Sequence, residues 1–74
     1  MKPEIRKAIV VGTAHVQHAL RLRDLPYYAA GELLQDVKQA LEGNVSAADH
    51  SLVECALKAV EATNKAHRKA LNKG

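Results

Sequence analysis

The chain has 74 residues, 47% of them hydrophobic and 26% charged, with 11 Lys or Arg against 8 Asp or Glu. That length allows one domain with a modest core, and the composition is that of a folded chain rather than a disordered one. The single cysteine, Cys55, excludes an internal disulfide and a cysteine-based zinc finger, and a net charge of +3 is by itself weak support for a polyanion partner.

With two tyrosines and no Phe or Trp, the core has to be built from Leu, Val, Ile and Ala. The opening stretch MKPEIRKAIVVGTAH has neither a long apolar segment nor a small-residue cleavage site, so no signal peptide is expected. No apolar run reaches the roughly 18–20 residues that span a bilayer. A cytoplasmic protein without membrane contact is the expectation.

The first predicted helix runs over about residues 3–23. Pro3 and Glu4 suit a first turn, and Ile5, Ala8, Ile9, Gly12, Val16, Ala19 and Leu20 share one face. The stretch RDLPYY ends it, because Pro26 disfavours helical geometry at Leu25. The second helix covers about 27–42, where Tyr27, Ala30, Leu34, Val37 and Leu41 recur at helical spacing beside Leu33 and Ala40. Gly43 and Asn44 suit its C-cap. Ser46 and Asp49 form a capping box for a third helix over about 47–72, with the acid in place of the usual Glu. No segment alternates as a strand would. The predicted fold is all-α: a small antiparallel three-helix bundle with a long C-terminal helix.

At about 1.5 Å per residue the third helix would be about 39 Å long and the second about 24 Å. Its end should therefore overhang. The third helix also carries two apolar strips. Ala48, Cys55, Ala59, Ala62, Ala66 and Ala70 make one, and Val53, Ala56, Leu57, Val60 and Leu71, interrupted by Asn64 and His67, make the other. Together they cover roughly 220° of the wheel, against the roughly 100° stripe of an ordinary surface helix. Either the first two helices cover both strips within one bundle or, as the overhang favours, one strip faces another chain, with Val53, Leu57, Val60, Asn64, His67 and Leu71 as the interface and Asn64 setting its register. Tyr28, on the polar side of the second helix, is a further interface candidate. Cys55, on the alanine side, is expected to be a buried, inert thiol.

Three other chemistries have partial support in the residues. His15 and His18 in HVQH place two imidazoles near each other on a helix, but zinc needs three or four ligands and the set is incomplete. No nucleophile elbow, paired catalytic carboxylates or Gly-rich phosphate loop is present, so an enzyme and a cofactor are not expected. Arg21 and Arg23 close the first helix and Lys65, Arg68, Lys69 and Lys73 the third, with no acid after Glu61. Such clusters can grip phosphate, although cations at helix C-termini also complement the helix dipole. The turn before the third helix resembles that of a helix-turn-helix, but SAADHS presents no base-reading surface. The reading is a small non-enzymatic interaction or regulatory protein, of adaptor or inhibitor type. It docks through an apolar helix face, as a homodimer or on another protein. A bacterial or phage-encoded inhibitor fits that description. Nucleic-acid binding through the basic helix ends is the alternative, and histidine-based metal binding comes last.

Overall fold

A computed structural model describes residues 1–72. Three helices, α1 (Pro3–Arg21), α2 (Tyr27–Leu41) and α3 (Ala47–Asn72), all pack against one another. The bundle is elongated, 43 × 18 × 18 Å. This is the all-α three-helix bundle that the 3.6-residue periodicity predicts.

Each helix turns a stripe of heptad spacing inward, as bundle packing requires. Ile9 and Val16 come from α1, with Thr13 between them; Ala30, Leu33, Val37 and Ala40 come from α2; Val53, Ala56 and Val60 come from α3, with Thr63 beyond them. Thr63 donates its hydroxyl to the Ala59 carbonyl at 3.0 Å and so enters the core satisfied. Thr13 Oγ1 is buried without a partner. The inward face of α2 is rotated from the expected one: Leu33 and Ala40 are buried, whereas Tyr27 and Leu41 are largely exposed.

Two of the residues expected at an interface lie on the inward stripe of α3. Val53 and Val60 are 3% and 7% exposed and sit in the chain's own core. The two shorter helices together cover the centre of the larger strip and leave Leu57 on its flank, Asn64 and its end, Leu71, in solvent. Cys55 is exposed, not buried, because the core follows Val53, Ala56, Val60 and Thr63 and leaves the alanine side half open.

An ion pair fixes the register of α1 and α3. Arg6 Nε donates to Asp49 Oδ1 at 3.0 Å and Arg6 Nη2 to Asp49 Oδ2 at 2.9 Å, a two-point contact. Ser46 Oγ accepts from the Asp49 N–H at 3.3 Å, so half of the expected capping box forms. The Asp49 carboxylate is turned to α1 instead of back to Ser46. At the same end the terminal ammonium of Met1 donates to the Asn44 carbonyl at 2.6 Å. The helices α1 and α3 thus start together and run parallel, with α2 antiparallel to both. At the far end Tyr27 Oη lies 2.7 Å from His67 Nδ1, with the two rings edge to face at 4.8 Å. The ends of the inward stripe on α3, Asp49 and His67, are tied to different helices.

The first helix stops two residues before the expected boundary. The Arg23 N–H bonds the Leu20 carbonyl at 3.1 Å and the Asp24 N–H bonds the Ala19 carbonyl at 2.9 Å, which is the bonding pattern of a Schellman motif. Arg23 takes a left-handed backbone, φ 59°, where glycine is the favoured residue. Asp24 Oδ1 then accepts from the Leu25 N–H at 2.9 Å and closes the turn before Pro26. Gly43, placed for the same purpose after α2, does not use a positive φ.

Two measurements check this account. Val60→Glu should unfold the chain by burying an unpaired charge, whereas Leu57→Glu should keep the helical circular-dichroism signal. Equal tolerance of both would contradict the burial assigned to Val60. The Arg6 hydrogen bond holds the Asp49 carboxyl below its ordinary range, against an opposing effect of desolvation. A lowered folded-state pKa stabilises at pH above the unfolded value of about 3.9 and is lost as the pH falls through the folded value. The melting temperature should therefore fall on acidification below about pH 4. In Asp49→Asn it should be lower at neutral pH and flatter in acid.

Candidate functional site

With the strip on α3 largely used as core, the exposed apolar surface lies elsewhere. On α1 the side chains of Val11, His15, His18 and Leu22 follow one another at steps of four, three and four, which places them along one outward line of the helix. All four are exposed. Facing them from the start of α2 is Tyr28, 91% exposed, with Ala29 at its base.

Between the two lines runs an open groove. Its central part, about 550 Å³, is floored by Gly12, Ala29 and Leu33 and walled by Val11 and His15 on one side and by Glu32 and Asp36 on the other. A second part, about 340 Å³, continues past His18, Leu22, Asp24 and Tyr28 to the α1–α2 turn. His15, Tyr28 and Ala29 line both, so the groove is one surface. Its depth depends on Gly12. A Cβ there would lie 3.2 Å from Leu33 Cδ1, so the missing side chain lets α2 approach α1 closely.

The charge of this lining differs from that of the chain. Lys and Arg outnumber Asp and Glu overall, yet the groove is lined by Asp24, Glu32 and Asp36 and by no Lys or Arg among the described residues. The floor is apolar, the α1 side carries Val11, His15, His18 and Leu22, and the acids stand on the α2 side and at the turn.

Of the interface residues expected from sequence, Tyr28 lies in this groove. Leu57, Asn64 and Leu71 are exposed on α3, away from it, and His67 is half-buried beneath Tyr27. His15 and His18 sit on the groove rim, and among the described residues no group of three or more His, Cys, Asp or Glu is placed to hold a metal. Arg21, Arg23, Lys65, Arg68 and Lys69 are all exposed, and the parallel register brings them to the same end of the bundle. Lys73 lies outside the described residues. Among the described residues no helix is long and apolar enough to cross a membrane.

Sequence reasoning missed Val11, Leu22, Glu32 and Asp36 as site residues. The signal was present in the 11, 15, 18, 22 spacing. Comparison of the chain with protein-family models, with curated proteins and with solved structures finds no match.

The role assigned to Gly12 has a direct check. Gly31 faces open space, so Gly31→Ala should raise unfolding stability by about 0.5–1 kcal/mol in urea. Gly12→Ala gains the same helix propensity but must displace Leu33, and should show little or none of that increase. An equal gain at both positions would mean that Gly12 does not set the helix approach.

Proposed function

We propose that the protein is a non-enzymatic docking module that receives one amphipathic helix of another protein in the α1–α2 groove. The observation that carries this reading is the groove itself: a continuous apolar floor with an exposed tyrosine and acids along its α2 side. A fourth helix laid along it would bury Val11, Leu22 and Tyr28 together, and tyrosine so placed is a frequent anchor of interfaces. The mode is a helix in a groove, read by apolar side chains at i, i+3, i+4 and i+7.

The chemistry of the occupant follows from the rim. With Asp24, Glu32 and Asp36 in the lining and no Lys or Arg there, the matching helix has an apolar stripe flanked by Lys or Arg. Opposite charges across the rim would speed encounter and fix orientation more than they would add affinity. An adaptor or inhibitor role fits a chain this short, whose docking surface is made by two of its three helices. A dimer through α3 has less to support it, since Val53 and Val60 are spent on the core.

The reading is tested with two synthetic helical peptides of four heptads, sharing a leucine stripe and flanked either by lysines or by glutamates. The lysine peptide, titrated into isotope-labelled protein, should shift the amide resonances of Val11, His15, Tyr28, Ala29 and Glu32. The glutamate peptide should bind at least about tenfold more weakly, a difference of about 1.4 kcal/mol. Tyr28→Asp and Val11→Asp, both on the surface, should abolish the shifts and leave the fold intact. Shifts centred on α3, equal binding of the two peptides, or binding undiminished in the variants would overturn the proposal. So would concentration-dependent shifts of the same residues without peptide, which would give the groove to a second copy.

A further inference from the structure

The register of the bundle has a consequence at its other end. Because α1 and α3 start together at Arg6 and Asp49, the greater length of α3, 26 residues against 19, emerges entirely at the C-terminal end. Arg21, fifteen residues beyond Arg6, comes level with Asn64, and the α1–α2 turn reaches the level of His67, where Tyr27 meets it. The last turn of α3 then stands clear, with Arg68, Lys69, Ala70, Leu71 and Asn72 all exposed.

Arg21, Arg23, Lys65, Arg68 and Lys69 gather at this end, and none of them makes an ion pair among the described residues. Two acids lie near them: Glu61, one turn before Lys65 on α3, and Asp24, which has a carboxylate oxygen engaged by the Leu25 N–H. Five cations against two acids account for the whole net charge of +3, so the remainder, with six Lys or Arg and six Asp or Glu, is neutral. Charge is segregated along the long axis. Dipole complementarity accounts for cations in the last turn of each helix, but not for Arg23. That residue lies past the end of α1 and holds the left-handed position that glycine fills without steric cost.

We infer that this basic end binds the phosphate backbone of nucleic acid, without reading its sequence. The cations stand on two neighbouring parallel helices and the turn beside them, a spread that suits a ligand carrying charge at regular intervals. The protruding helix is as thick as a duplex major groove is wide, about 10–12 Å in both cases. An anionic membrane would be met by bulky apolar side chains on the same helix face. The overhang offers Leu71 alone among small and polar residues, and the chain has no Phe or Trp. The acidic groove turns nucleic acid away from the α1–α2 face, so the two surfaces serve different partners. Two copies meeting by their overhangs would bring like charges together, which makes a polyanion the better occupant of this end.

The test uses the full chain and a fluorescent 20-base-pair duplex of mixed sequence, followed by anisotropy between 50 and 200 mM salt. Up to five phosphate contacts predict a slope of log K against log salt between about −3 and −4.5, so affinity should fall by roughly 60- to 500-fold over that range. Arg68→Glu combined with Lys69→Glu changes only the exposed overhang. It should weaken binding at 50 mM salt by more than tenfold and make the slope shallower by about two, with circular dichroism unchanged. A second duplex of different sequence should bind within about threefold of the first, the tolerance expected when phosphate carries the affinity. Absence of binding at 50 mM salt, a variant that binds like the parent, or tighter binding to polyglutamate or to phosphatidylserine vesicles at equal charge would each overturn the inference.

Discussion

The contact between Arg6 and Asp49 organises this molecule more than its energy alone would suggest. It joins the first turn of α1 to the first turn of α3 at two points, and with the Met1–Asn44 contact it sets those helices parallel and level. A core of Val, Ile, Leu and Ala is smooth, and small side chains tolerate sliding by a turn better than large ones do. A paired carboxylate that is largely removed from water tolerates no such shift, because slipping would leave it buried without a partner. A half-buried ion pair acting as a register device is consistent with the attested use of polar groups in helical bundles.

Two surfaces follow from that register. On one side α2 meets α1 closely at Gly12 and Leu33 and leaves a long groove with an apolar floor. At the far end the surplus of α3 projects past the α1–α2 turn and carries cations with it. One surface has an apolar floor with acids on its α2 side, and the other is basic. A chain of 74 residues thus presents two chemically opposite faces. That arrangement suits a module that brings a protein helix and a polyanion together.

Much of this was legible in the sequence, and the exceptions have physical causes. Helix positions followed from apolar periodicity and from Pro26, Gly43 and Ser46. The overhang followed from length alone. The inward direction of α3 did not, because a wheel on which about 220° is apolar leaves its orientation to the partners. Packing chose the line through Val53, Ala56 and Val60, which exposed Cys55 and removed two side chains from the expected interface. The Asp49 carboxylate was assigned to its own helix cap because local reasoning sees three residues away and not 43. The groove was missed for a related reason. It belongs to two helices at once, and neither α1 nor α2 looks unusual by itself, although Tyr28 was already out of place on its own wheel.

The claim on which both surfaces rest is the level, parallel register of α1 and α3. It is tested most directly by distances between spin labels in a chain whose native Cys55 is replaced by Ser. Labels at Lys7 and His50, each one residue beyond the ion pair, should give one narrow distribution below about 20 Å. Labels at Lys7 and Lys69 should lie about 30 Å apart, since nineteen helical residues separate His50 from Lys69 at about 1.5 Å each. A reversed order of the two distances, or two populations of the first separated by a helical turn, would contradict the register and with it the placement of the groove and of the basic end.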